Sequence, residues 1–337
     1  MKKIGVIGAT GMLGHHVAKH IQSNHENILI AIHRTTSDLS SISDLKYQSK
    51  IADLNDKESL IQSFRDLDYV LNCGAYYPTV PKSLKEEIKI AKHQMNNFID
   101  AVKESGVKKA LYLGGAIAIP KSKEGIANED EYYTASPKSK SAYVHVKWLM
   151  DNMAREAGKK GIPIVIGIPS MTFGEYDYGP STGRIITNTV NQTLPGYVNG
   201  NRNVVYAGDA ARGLLSACID GNIGDRYLIT GENITMEDLI QKIITIAGID
   251  TMPKEVPLGL AKLVSKIKMT KYKLYGGKLP LLDDTAIAVM SAGQFLNGDK
   301  AKNELGYEPK VSIDETLKRT ITWFEQNNYI DGTNSHN

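Results

Sequence analysis

Two cysteines in 337 residues, Cys73 and Cys218, cannot build a disulfide framework, and neither has the spacing of a metal site. No metal is expected, and each thiol sits in an apolar run that reads as buried and structural. An excess of charge is missing too. Lys and Arg number 40 against 37 Asp and Glu, a formal net charge of +3, which gives no warrant for nucleic-acid binding. The lysine-rich stretch 266–278 reads as solvated surface. No uninterrupted apolar run reaches bilayer-spanning length. The two N-terminal lysines are followed by apolar residues, as in a signal peptide, but Gly5, Gly8, Gly11 and Gly14 break the run. The expectation is a cytoplasmic protein with neither a nucleic-acid nor a membrane partner. Phenylalanine and tryptophan number only 5 and 2, whereas tyrosine reaches 17, so most aromatic bulk carries a hydroxyl.

Short apolar runs alternate with helical patterns in the first half. Residues 3–7, 28–33, 69–73, 110–113 and 163–168 read as strands, and 12–23, 60–65, 84–104 and 142–157 as helices. This alternation implies βαβ units and a parallel sheet. After position 169, glycine, proline, tyrosine and asparagine become frequent up to 202. Residues 201–209 and 226–230 read as extended, 235–247 and 313–326 as helical, and the tail from 331 as frayed. The expected architecture is α/β, a doubly wound parallel sheet with a smaller C-terminal substrate-binding lobe. The nucleotide domain is set at 1–168. The lobe is mainly 169–330, with room for returns to the sheet, and 331–337 is the tail.

Gly8, Gly11 and Gly14 follow the first strand and open a helix. One glycine permits the sharp turn, a second lets backbone approach a pyrophosphate, and a third lets helix and strand pack closely. The helix N-terminus then offers free N–H groups and partial positive charge to phosphates. The second strand ends in His33-Arg34 with no acid for the ribose hydroxyls. Arg34 suits a 2′-phosphate, so NADP(H) is the expected cofactor and NAD(H) the alternative. Asp53 follows another short apolar run, where it reads either as an acceptor for the adenine amino group or as a turn residue. Gly74 and Ala75, after the 69–73 strand, would let backbone lie beside the cofactor.

Tyr143 and Lys147 stand four apart on a helix and so share a face. A phenol of ordinary pKa near 10 exchanges protons poorly at neutral pH. A neighbouring ammonium stabilises the phenolate, and lysine can also hold the nicotinamide ribose. The pair suits general acid–base chemistry at a carbonyl or hydroxyl carbon coupled to hydride transfer. Tyr76, Tyr77, Tyr132, Tyr133, Tyr176 and Tyr178 lie in loops after strands, where they either present hydroxyls to a ligand or pack the cleft rim.

Taken together, the Gly8/Gly11/Gly14 turn, Asp53-Leu54, Tyr143/Lys147, the segment from Pro169 to Gly174, 203–209 and 305–309 resemble the extended short-chain dehydrogenase/reductase family. The match covers nearly the whole chain and is closest in character to the dihydroflavonol reductase-like branch. Segments 179–184 and 224–227 are similar to bacterial hopanoid-associated sugar epimerase-like members. The resemblance implies a Rossmann domain, a substrate cleft between domain and lobe, and homodimers paired through long helices. The cofactor set it implies is Gly8, Thr10, Gly11, Met12, Leu13, Gly14, His33, Arg34, Asp53, Leu54, Gly74, Ala75, Lys147, Pro169 and Met171. Tyr76, Thr79, Gly115 and Ser181 are the substrate-side candidates. Two departures stand out: Gly115 takes the place of a serine or threonine that polarises the substrate, and Ala91 that of a relay asparagine. Thr79, Thr134, Ser136 or a water is left to substitute. The reading is an NADP(H)-dependent carbonyl reductase with Tyr143 as acid/base. The alternatives are a sugar epimerase or dehydratase with retained NAD, and a non-catalytic NADP(H)-binding regulator.

Overall fold

The structure, a computed structural model, describes residues 1–78, 82–277, 279–280 and 282–330. The first half runs β1 (Lys2–Ile7), α1 (Met12–Ser23), β2 (Asn27–His33), β3 (Gln48–Ile51), α2 (Lys57–Phe64), β4 (Tyr69–Asn72), α3 (Leu84–Ser105) and β5 (Lys109–Leu113). Then come β6 (Ile126–Ala127), α4 (Ala142–Lys159), β7 (Ile164–Pro169), β8 (Met171–Phe173), α5 (Arg184–Val190), β9 (Asn201–Tyr206), α6 (Ala207–Asp220) and β10 (Arg226–Ile229). The remainder is β11 (Glu232–Thr235), α7 (Met236–Ala247), α8 (Leu258–Tyr275), α9 (Asp284–Ala292), β12 (Phe295–Leu296), α10 (Asp299–Leu305) and α11 (Ile313–Gln326).

Seven strands form one parallel sheet in the order β10-β7-β5-β4-β1-β2-β3. Apart from the edge strand β3, its strands are largely apolar on both faces because helices cover both sides. Along β2, Ile30 and Ile32 enter the layer shared with α2, α3 and α4, while Leu29 and Ala31 enter the layer shared with α1 and α6. In β7, Ile164, Ile166 and Ile168 face the first layer and Val165 the second. α3 starts in a capping box, Ser83 bonding the Glu86 N–H and Glu86 reaching back, and stops at Gly106, φ +80°. The result is the doubly wound Rossmann-type sheet. β10 returns to it from beyond position 168 and pairs with β7, and α6 covers one face.

The lobe holds a three-stranded sheet, β11-β9-β8, with α5, α7 and α11 packed around Phe173, Ile186, Leu239, Ile243, Leu317 and Phe324. The expected extended run 201–209 stops at Tyr206, where α6 begins. Small residues let α6 lie tight against the sheet, and a Cβ at Gly167 would come within 2.4 Å of Leu214 Cδ2. The lysine-rich stretch lies on α8 as far as Lys273, the lysines of this helix being exposed, and Lys278 lies outside the described residues. The tail from 331 lies outside the described residues.

Two clusters of contacts tie neighbouring elements together. The His15 ring stacks on Tyr176 at 3.7 Å between centroids, and His16 Nε2 lies 3.5 Å from Glu175 Oε2. Burial lowers both histidines, His16 to about 4. On the other face Arg226 donates to Asp151 Oδ2 at 3.4 Å and to the carbonyls of Glu129 and Glu131, both ion-pair side chains being 3% exposed.

Candidate active site

The turn after β1 is shaped by backbone that tolerates no side chain. Gly8 has φ +80°, and a Cβ there would meet Gly74 N at 2.7 Å. One at Gly14 would sit 2.0 Å from the Gly8 carbonyl oxygen, so α1 packs directly on the turn. Among the described residues, a Cβ at Gly11 would meet only that carbonyl, at 3.6 Å, and no side chain caps α1. The first-turn N–H groups of Met12, Leu13 and Gly14, behind Thr10, are the ones a helix N-terminus leaves free and could hold an anion. At the carboxyl edge of the sheet, Asn72 Oδ1 and Ser170 Oγ are buried without hydrogen-bond partners among the described residues. Asn72 ends β4 and Ser170 follows β7, at the edge where open α/β sheets bind ligands. Pro169 ends β7 beside Ser170, and Met171 opens β8. Glycine cradle and orphaned polar atoms fit a dinucleotide laid across this edge.

At the end of β2 the His33 ring is engaged, with Nε2 at 2.5 Å from Ser49 Oγ and Nδ1 at 2.9 Å from the Arg34 carbonyl. Arg34 is exposed, and its guanidinium makes no hydrogen bond or ion pair among the described residues. Asp53 Oδ1 accepts from Asn55 N at 2.8 Å and Asn55 Nδ2 at 2.9 Å, so one oxygen serves a turn. The Leu54 carbonyl accepts from Asn97 on α3 at 2.9 Å. Gly74 abuts Gly8, and Ala75 packs on the adjoining core.

Tyr143 and Lys147 both face Gly115. A Cβ at Gly115 would lie 3.5 Å from Tyr143 Oη and 3.7 Å from Lys147 Cδ and Cε. The glycine thus leaves open a place beside both groups where a side chain would otherwise stand. Lys147 is buried, its ammonium 5.9 Å from the Tyr112 ring centroid. Burial brings it down to about 8 and pushes the Tyr143 phenol well above its ordinary range. Tyr143 therefore holds its proton at rest, while Lys147 carries charge at neutral pH. Ala91 is fully buried in the core, with no polar atom to offer.

The substrate-side candidates separate. Tyr76 turns its hydroxyl to Glu87 Oε2 at 2.5 Å, on α3. Ser181 is exposed in a turn that buried Asp177 organises, Gly183 N donating to Asp177 Oδ2 at 3.3 Å. Thr79 lies outside the described residues. Ser136 Oγ is 3.3 Å from His145 Nδ1. Tyr176 and Tyr178 pack on His15 and Trp323.

Tyr77, in contrast, has its ring 4.7 Å from that of Tyr143. Burial and Asp283 raise its phenol, and Arg184 opposes them. Ser141 Oγ meets Thr285 Oγ1 at 3.1 Å, fixing the start of α9 beside that of α4. The sequence signals were a tyrosine after β4 and polar residues ending apolar strands. Neither marks which residues converge. A cavity of about 790 Å³ opens between α8, α9 and the 137–140 loop, reaching Ile117 and Val144. Among the described residues no cluster of His, Cys, Asp and Glu is placed to hold a metal, and no helix is long and apolar enough to cross a membrane.

The model of the NAD dependent epimerase/dehydratase family matches residues 4–229. A solved nucleoside-diphosphate-sugar epimerase from Pseudomonas aeruginosa superposes with TM-score 0.85 and 37% identity, covering 98% of this chain and 99% of that one. A Synechocystis protein named "Putative dihydroflavonol 4-reductase" is 26% identical over 334 residues, 96% of this chain and 95% of its own. Sterol demethylase protein B of Methylococcus capsulatus is 22% identical over 328 residues, covering 96% and 99%.

Proposed function

Because the chain belongs to the NAD dependent epimerase/dehydratase family, and is thereby an enzyme of the extended short-chain dehydrogenase/reductase kind served by a nicotinamide dinucleotide, we propose that it reduces a carbonyl compound with NADP(H). The observation that carries the reading is the Tyr143 hydroxyl beside Lys147 and the open Gly115 position. Residues 1–168, with the returning β10, hold the cofactor in this reading, and the rest mainly shapes the substrate side.

The cradle of Gly8, Gly11 and Gly14 takes the pyrophosphate, Arg34 the 2′-phosphate, and Asp53 and Leu54 flank the adenine. Gly74, Ala75, Pro169 and Met171 line the approach to the nicotinamide, and Lys147 binds its ribose. Bound there, the reduced nicotinamide supplies hydride to the carbonyl carbon. Tyr143 Oη gives its proton to the carbonyl oxygen, and the Lys147 ammonium stabilises the phenolate left behind. Solvent then returns a proton to Tyr143. Gly115 gives no hydroxyl to the carbonyl, and the Tyr77 phenol is the nearby group suited to that part.

Purified enzyme with NADPH and a panel of aldehydes, ketones and keto-sugars should oxidise the cofactor. Tight NADPH binding with no turnover across the panel would count against the reading. The second reading, an epimerase or dehydratase with retained NAD, draws on the 37% identity to the Pseudomonas aeruginosa protein. Stoichiometric NAD released on denaturing the purified protein would favour it.

Two further results are expected. Arg34→Ala should weaken NADPH binding by roughly 10- to 100-fold, through loss of a charge-assisted hydrogen-bond pair, and leave NADH affinity unchanged. Titration of both dinucleotides by fluorescence checks this; unchanged NADPH affinity would sink the NADP(H) assignment. Lys147 releases its proton at about 8, so kcat/KM should fall as pH rises through that value. In Lys147→Arg, whose guanidinium keeps its proton, the falling limb should move to higher pH. A profile flat from well below to well above that pH would contradict it.

A further inference from the structure

α8 carries an apolar stripe on its outward face. Leu260, Leu263, Ile267 and Leu274 are 51%, 55%, 60% and 70% exposed. Their spacing of three, four and seven keeps them on one side of a helix, over roughly 21 Å of its length. The opposite side is the anchored one: Ala261 and Ser265 are each 3% exposed, and the helix rests on α9. Isolated exposed leucines are ordinary, but a stripe of four on one helix is an interaction surface.

Charge identifies what covers it. α8 contains Lys262, Lys266, Lys268, Lys271 and Lys273 and no acid, in a chain whose net charge is only +3. On a helical wheel Lys262, Lys266 and Lys273 flank the stripe on one side, and Lys268 and Lys271 on the other. Lys121, Lys138 and Lys140 line the neighbouring cavity mouth, with Asp284 the acid among its lining residues. A second copy docked stripe to stripe would bring these like charges together. Nucleic acid would satisfy the lysines and leave the leucines in water. A surface of acyl chains beneath anionic phosphates satisfies both at once.

We propose that α8 docks on the surface of an anionic lipid bilayer, with Leu260, Leu263, Ile267 and Leu274 entering the acyl boundary and the flanking lysines reaching the phosphates. The helix lies in the interface plane and does not span it. The docking is independent of the reaction assigned to Tyr143, so either can fail alone. It goes beyond the expectation of a chain with no membrane partner, which rests on the missing spanning segment.

The test is flotation of the full chain with vesicles of phosphatidylcholine alone and of equal parts phosphatidylcholine and phosphatidylglycerol. The wild-type protein should float with the anionic vesicles, be released by raised salt, and stay unbound with the neutral ones. Leu263→Ser/Ile267→Ser should lose tenfold or more in partitioning, and Lys268→Glu/Lys271→Glu about twentyfold or more. These side chains are exposed, and unchanged NADPH affinity in each variant establishes that it is folded. Wild-type protein that floats with neither vesicle overturns the proposal, as does equal flotation of wild type and both variants. If Leu263→Ser/Ile267→Ser splits a dimer in solution and no form floats, the stripe belongs to a second copy and the proposal falls.

Discussion

Tyr143→Phe is expected to lower kcat by about two to four orders of magnitude, the usual share of a positioned proton donor. The ring remains, so its contact with Tyr77 and its packing at the start of α4 are kept, and only the hydroxyl is lost. NADPH affinity should stay within about twofold, because the proposed cofactor contacts come from the turn after β1, from Arg34 and from Lys147. Any cushioning of the loss should come from Tyr77 and not from position 115. In an active site with two hydroxyls on the substrate oxygen, the second cushions removal of the first. Gly115 brings none to the position 3.5 Å from Tyr143 Oη. Steady-state and single-turnover rates on one responsive carbonyl substrate check the result. A variant within tenfold of wild type would remove Tyr143 from the role of acid, and added loss of that residual rate in Tyr143→Phe/Tyr77→Phe would transfer the role to Tyr77.

Arg226→Met should destabilise the fold by about 3–5 kcal/mol, the cost of stranding one member of a buried ion pair. The guanidinium serves the Asp151 carboxylate and the carbonyls of Glu129 and Glu131, and Glu129 Oε1 in turn accepts from Leu228 N at 2.7 Å. One substitution therefore loosens α4, the loop before it and β10 together. Burial already raises Asp151 to about 6 despite its partner, and Asp151 Oδ1 has no hydrogen bond among the described residues. The wild-type pair therefore weakens the fold as pH rises from the ordinary carboxylate range through 6, since the folded state then gives up a proton it binds more tightly than the unfolded chain. Without Arg226 this pH dependence should steepen and extend to higher pH. Arg226→Met/Asp151→Leu, which removes both charges, should recover part of the loss. Urea midpoints across that pH range check it; a single variant as stable as wild type would show that the pair contributes little.

The sheet was legible because its physics is local. Strands buried on both faces read as apolar runs, and 28–33 and 163–168 fall within a residue or so of β2 and β7. Helix 12–23 coincides with α1, since glycine punctuates its start. β3 escaped notice because Gln48–Ile51 is an edge strand with mostly exposed side chains and no apolar signal. α6 was hidden by the apolar run Val204-Val205-Tyr206 that precedes it, which looked like more strand. α8 turns its leucines outward, against the usual rule that the apolar side of a helix faces the core. At the site, Tyr143/Lys147 and the glycine turn are short-range patterns. Convergence of Tyr77, Gly115 and Thr285 on the start of α4 depends on three separate loops, and no spacing in the sequence encodes it.

The pairing of β10 with β7 has a consequence for anyone who would re-engineer specificity. β7 is buried along its whole length, and its outer neighbour arrives only after β8, α5, β9 and α6 have been made. A graft that joined a foreign lobe after position 169 would leave Ile164–Pro169 as a bare, sticky rim for other chains to add onto. The interchangeable module is therefore a cassette with two seams, one after β7 and one before β10, set into a frame that must be left closed.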